Sequence, residues 1–298
     1  METPESLRRT IVVTAELQSV VKTMKALAGV NIRQCERAAQ AVAQYNRTIE
    51  MGFQIALRHL PAHALPPRHA PGIKLGAVIF GSDQGMCGQL NDQVVGHALR
   101  AMTRLSRRRK DQVIIAAGIR AASQLESSGR AVEASVPVPS SVTGITAAVE
   151  EVLRKIQEWH LERGIEMVVL FNARPVSGAW YRVRGIRLLP VDAEWINGLR
   201  AKRWPSKVIP TFTMNERDLF RSLVREYLFV TLYRAFAESL ASENASRLAS
   251  MQVAERNIED RLRALTSESR QLRQTAITSE LLDIIASFES LRKAHPVC

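Results

Sequence analysis

"AVIFGSDQGMCGQLND", residues 77–92, runs four apolar residues into a turn with three glycines and one cysteine, and then into an amphipathic stretch, "LNDQVVGHALRAMTRL". A strand, a glycine turn and a helix start make the first half of a βαβ unit. The same arrangement cradles phosphates or exposes nucleophiles, because turn amides and the helix dipole aim positive charge at one spot. The details argue against both uses here. "GSDQGMCG" has no Gly-x4-Gly-Lys-Ser/Thr pattern and no basic side chain, and Asp83 repels anions. Cys87 has no histidine nearby in sequence to act as its base, so it is read as a small thiol packing a tight turn. Gly81, Asp83, Gly85, Cys87 and Gly88 are accordingly assigned to a structural turn.

Downstream, "QVIIAAG" and "IEMVVLF" are further Val/Ile-rich runs, and they alternate with the amphipathic "IRAASQLESSG" and "ITAAVEEVLRKIQEWHLERG". This alternation predicts a mainly parallel sheet with helices on both faces, a Rossmann-like α/β domain spanning 73–212. "FNARPVSGAWYRVRGIRLLPV" reads as a hairpin that adds an edge strand.

Long helical patterns flank this domain. In residues 1–60, Leu7, Ile11, Leu17, Val20, Val21, Met24, Leu27 and Ala28 recur at helical spacings, with no proline between Pro4 and Pro61. Residues 213–298 hold a run from Met214 to Leu291 without proline or glycine, whose seam passes through Leu219, Leu223, Val230, Phe236, Leu240, Leu248, Met251, Ile258, Leu262, Leu265, Leu272, Ile277, Leu281 and Ile285. At 1.5 Å per residue these are rods of roughly 80 and 115 Å. They are expected to pair as a long antiparallel coiled coil. The Pro-rich 61–72 is a linker.

The chain has 298 residues, 41 Lys and Arg and 29 Asp and Glu, a net charge of +12 that calls for an acidic partner. Three cysteines at no metal spacing argue for a reducing compartment, and the polar N-terminus is no secretory signal, so a soluble cytoplasmic protein is expected. His59, His63 and His69 suit no common metal site, and "RLSRRRK", residues 104–110, is read as a solvated helix end. No catalytic, cofactor or metal residue is assigned. A free-standing basic coiled coil that binds nucleic acid or a membrane surface is the alternative. It is disfavoured by the mixed charge signs along 214–291.

Three segments carry a resemblance. "GSDQGMCGQLN" resembles the Ser-Asp-Arg-Gly-Leu-Cys-Gly-x-Leu-Asn segment of the gamma subunits of F-type ATP synthases. "SLASENASRLASMQVAERN" and "LRQTAITSELLDIIAS" are similar to the two C-terminal signatures of that family, and "LQSVVKTMKALAGVNIR" to its N-terminal helix. The resemblance implies a rotor shaft in the central stalk, without catalysis of its own. Its partners would be the alpha and beta subunits of a catalytic hexamer, an epsilon subunit and a membrane ring of c subunits, at the cytoplasmic face of a bacterial inner membrane. Position by position it implies that Lys22, Met24, Lys25, Glu243, Arg247, Arg273, Gln274, Thr278 and Glu280 contact the hexamer. A basic shaft would suit acidic loops of the beta subunits.

The sequence departs from the family at Lys25, where a glutamate is usual, and at Ser269-Arg270, Ser287-Phe288 and Thr213. These departures are read as those of a divergent gamma subunit from a second ATP synthase operon, with a sodium-translocating complex as the variant considered.

Overall fold

The computed structural model describes residues 3–59, 74–106, 108–176, 180–205, 207–208 and 210–294. The linker expected at 61–72, with His63 and His69, lies outside them, as does Cys298. The chain forms two compact units, Leu27–Ser250 and Met1–Ala26 with Met251–Cys298.

Among the described residues the larger unit is built on five strands: β1 (Leu75–Phe80), β2 (Gln112–Ala117), β3 (Ala134–Val136), β4 (Met167–Val176) and β5 (Trp180–Leu189). They lie in the order β3-β2-β1-β4-β5. The first four pair in parallel, and β5 pairs antiparallel to β4, the edge hairpin that the sequence predicts. β1 is buried along its whole length, as a strand covered on both faces must be. Its alternate side chains serve two cores. Leu75, Ala77 and Ile79 face α2 (Leu90–Leu105) and α3 (Ile119–Ser127). Val78 and Phe80 face Val149 and Trp159 of α4 (Ile145–Arg163), together with Phe236 and Leu240 of α6 (Glu216–Ala294). Phe80 and Phe236 meet edge to face, with ring centroids 4.8 Å apart.

A third core joins Ile49, Phe53 and Leu57 of α1 (Pro4–His59) to Ile196 and Leu199 of α5 (Ala193–Ala201) and to Val230 of α6. Phe53 is fully buried there among Trp195, Phe220 and Tyr227. Each such apolar side chain stabilises the fold by about 1.5–3 kcal/mol relative to exposure. The Asp192 carboxylate caps α5 by accepting from the Glu194 amide at 2.9 Å. β3 and α5 are absent from the sequence-based prediction. The first is only three residues long, and the second is a nine-residue helix among turn residues.

The smaller unit pairs the start of α1 with the end of α6. Gln18 Nε2 donates to Glu259 Oε1 at 3.4 Å, and Lys25 forms an ion pair with Glu255, so the two helices run in opposite directions. The covered positions of α1 in this unit are Leu7, Ile11, Thr14, Gln18, Val21, Met24 and Lys25, and all but Met24 follow alternating steps of four and three residues. On α6 they are Met251, Ile258, Leu262, Leu265 and Leu272, as expected. The structure corrects other parts of the predicted seam: Leu17 and Val20 of α1, and Ile277, Leu281 and Ile285 of α6, are more than half exposed, and Leu223, Val230, Phe236 and Leu240 pack in the cores of the larger unit. Leu27, in the larger unit, is also exposed.

Candidate functional site

In a sheet of this order the strand connections reverse direction between β1 and β4, and the crevice at the carboxyl ends of those strands is where such folds bind ligands. The glycine loop 81–88 sits at that point, directly after β1. The polar groups of Gly81, Ser82 and Asp83 are spent on the chain itself. The Gly81 amide donates to Ala117 O at 2.7 Å. The Ser82 amide donates to Asn91 Oδ1 at 3.0 Å, and Asn91 Nδ2 donates back to Ser82 Oγ at 2.9 Å. The Asp83 carboxylate bridges two elements, accepting from the amides of Ile119 at 2.9 Å and Val138 at 2.8 Å. It stabilises the start of α3, where unpaired amides and the helix dipole favour a negative charge. Cys87 is buried, with its sulfur 3.3 Å from Ser82 Oγ.

Two of the glycines have steric reasons. A Cβ at Gly81 would lie 2.4 Å from the Cβ of Ala121. Gly88 adopts φ +57°, and a Cβ there would be 3.2 Å from Ser246 Oγ. Gly85 is open, with Arg120 Nη2 at 3.6 Å as its nearest neighbour.

What fills the crevice is α6. Ser246 Oγ donates to Cys87 O at 2.5 Å, and Glu238 accepts from Asn172 of β4 at 3.3 Å. The sequence reading missed Ser246, Asn91 and Asn172. The signal for Ser246 was present in "SLASENASRLAS", whose serines and alanines recur every three or four residues and permit close backbone approach.

The nine expected contact residues do not converge. Lys22, Met24, Lys25, Arg273, Gln274, Thr278 and Glu280 lie in the two-helix unit, and Glu243 and Arg247 in the α/β unit. Lys22, Arg273, Gln274, Thr278 and Glu280 are exposed, and Met24 is half-buried. Thr278 Oγ1 donates to Gln274 O at 2.8 Å. The other three face their own chain. Lys25 is paired with Glu255. Glu243 and Arg247, 5% and 8% exposed, form an ion pair of 2.6 Å. Burial pushes the Glu243 carboxyl above the usual range, and the Arg247 charge opposes that shift. Glu243 Oε2 and Arg247 Nε lack a hydrogen-bond partner among the described residues.

The positive charge is unevenly spread, and this corrects the expectation of a basic shaft. The two-helix unit holds eleven Lys and Arg against ten Asp and Glu, so the surplus belongs to the α/β unit, with thirty against nineteen. Among the described residues no group of His, Cys, Asp and Glu could hold a metal ion, and no helix is long and apolar enough to cross a membrane.

The α/β domain is thus inserted in sequence between two long helices, and one of them fills its ligand crevice. The sequence matches the ATP synthase family over residues 3–291. It is 25% identical to the ATP synthase gamma chain of Thermobifida fusca, with 96% of each chain covered. It is 24% identical to that of Herpetosiphon aurantiacus, over 98% of this chain and 100% of the relative. The rotor of Euglena gracilis mitochondrial ATP synthase shares the fold with a TM-score of 0.64, at 14% identity over 92% of this chain and 98% of that one. The central stalk and c-ring structure of the Tetrahymena thermophila mitochondrial enzyme gives 0.53, at 19% identity over 79% and 99%. The chain belongs to the ATP synthase family, among its gamma subunits, which form the central stalk.

Proposed function

We propose that this chain is the rotor shaft of a bacterial ATP synthase, coupling ion flow through a membrane ring of c subunits to the conformations of the catalytic beta subunits, with no catalytic site of its own. The carrying observation is the exposed apolar surface of the two-helix unit. Val13, Leu17 and Val20 on α1 continue into Met24 at coiled-coil spacing, and Ile277, Leu281, Leu282, Ile284 and Ile285 crowd the end of α6. Apolar side chains repeated in this way belong against a partner. Alternate alpha and beta subunits would supply it, with Met24 making apolar contact, Lys22, Arg273, Gln274, Thr278 and Glu280 making polar contacts, and Lys25, Glu243 and Arg247 holding the shaft's own geometry.

Coupling requires that each beta subunit interact differently with the shaft as it turns, since only differential interactions shift conformational equilibria. A shaft whose faces carry different side chains meets that requirement. The epsilon subunit and the c ring would bind the α/β unit, at the cytoplasmic face of the membrane. The alternative of a free-standing basic coiled coil finds no support in a two-helix unit of nearly balanced charge.

The test is co-purification of the chain with alpha and beta subunits, followed by ATP-driven ion pumping in membrane vesicles. Leu17→Asp with Val20→Asp should lower pumping about tenfold or more, since two desolvated charges would face the partner. Undiminished pumping would overturn the proposal. Dependence of pumping on sodium ions, against its collapse by a protonophore, identifies the coupling ion. The purified chain alone should neither bind nor hydrolyse ATP.

A further inference from the structure

On the face of the sheet that carries α6, the ladder between β4 and β5 changes character along its length. Leu170 opposite Ile186 is apolar, Asn172 opposite Arg184 is polar, and Arg174 opposite Arg182 is doubly cationic. α6 adds Arg234 and Glu238 beside them. The Glu238 carboxylate is buried and shared. Oε1 accepts from Arg234 Nε at 2.9 Å and lies 3.8 Å from Arg174 Nε, while Oε2 accepts from Arg184 and from Asn172.

Glu238 is the one acid with which any of these arginines forms an ion pair among the described residues. Four guanidinium groups thus stand against one carboxylate. Crowding is felt at Arg184, where burial lowers the pKa first, Glu238 opposes this, and Arg174 and Arg234 lower it further. Arg174 keeps half of its side chain exposed, and Arg182 is exposed on the edge strand.

The geometry points to a docking surface, formed by Arg174, Arg182, Arg184 and Arg234, for an acidic polypeptide segment of another subunit of the complex. The spacing selects the occupant. Arg182 and Arg184 are two residues apart on one strand face, about 6–7 Å, which matches alternate carboxylates of an extended chain better than a single compact phosphate. Guanidinium forks also favour carboxylates, which they bind in a bidentate way. The competing explanation is that charged side chains merely protect an edge strand from pairing with other strands. It explains Arg182 and Arg184 of the edge strand β5, but not Arg174 of β4 and Arg234 of α6, which gather over the sheet face beside them.

This inference rests on the proposed role in an ATP synthase, and the experiment separates the two. The full chain carrying a photo-crosslinking benzoylphenylalanine in place of Arg182 is expressed with its complex, purified and irradiated, and the cross-linked peptide is mapped. The expected product joins residue 182 to a segment of another subunit rich in Asp and Glu. In a second preparation Arg174→Glu and Arg184→Glu should lower the yield of that product about tenfold or more. Reversing the charge of the mapped acids should restore it. Cross-links only to lipid, to this chain itself or to a segment without acids would overturn the inference, as would a yield indifferent to charge reversal. Failure of the unmodified chain to co-purify with alpha and beta subunits would instead overturn the proposed function, and the inference with it.

Discussion

The two units of this chain treat their side chains in opposite ways. In the α/β unit, apolar residues are covered on both sheet faces and the polar groups of the glycine loop are satisfied from within. In the two-helix unit, polar Thr14, Gln18 and Lys25 occupy covered seam positions while Val13, Leu17 and Val20 point outward. The sheet core of the first is closed by this chain alone. The second has the composition of a surface that other chains finish, because its most apolar stripe lies one residue, or roughly 100°, round the helix from the stripe that faces α6.

The sharpest way to break this contrast is to damage each unit separately. Phe53→Ala should cost about 3–5 kcal/mol in denaturant unfolding of the isolated chain, since a fully buried aromatic leaves a cavity. A cost below about 1 kcal/mol would mean that the third core is loosely packed and the α/β unit less complete than described. Ala254→Pro, in the interior of α6, should cost about 3 kcal/mol locally by removing a backbone hydrogen bond. The unfolding transition of the α/β unit should persist while ATP-driven pumping is lost. Normal pumping would show that an unbroken α6 is not needed for coupling.

Smaller effects sharpen the comparison. Asp83→Ala leaves the amides of Ile119 and Val138 without their acceptor and should destabilise the α/β unit by about 1–3 kcal/mol, visible in thermal unfolding. Lys25→Glu sets a like charge against Glu255 and should destabilise the two-helix unit by about 0.5 kcal/mol, read from circular dichroism melts. The transition of the α/β unit should not move. The last effect is one of pH. Burial, helped by the charges of Glu243 and Glu36, raises the Cys35 thiol to about 11 from a usual value of 9.0. Its stabilising contribution is therefore whole below pH 9 and lost as the pH rises through about 11. Alkylation of Cys35 in the native chain at pH 8 should be slow and should become rapid on unfolding. Equal rates would place that thiol outside the core.

Much of the fold was legible because its strands are short apolar runs between amphipathic stretches. "AVIF", "VIIAA" and "MVVLF" could hardly be read otherwise once glycines bounded them. β3 was invisible because three residues carry no periodicity. The α1 seam was misplaced for a better reason. Two stripes with the same alternation of threes and fours run along that helix, and hydrophobicity favours Leu17 and Val20 over Gln18 and Lys25. Period alone does not say which stripe meets a helix of the same chain and which meets another molecule. The glycine loop was read as structural for want of a basic side chain. Its true occupant, Ser246, lies 159 residues from Cys87, a separation no local pattern reveals.

That separation also sets a schedule during synthesis. At 5–20 residues per second, roughly 8–30 s pass between the emergence of the glycine loop from the ribosome and that of the helix which covers it. For most of this interval Val78 and Phe80, and for its later part Leu170, lack the cover that Phe236 and Leu240 supply. The α/β unit cannot close as a nascent chain in N-to-C order. One sheet face stays open to chaperones and to aggregation until the last quarter of the protein arrives.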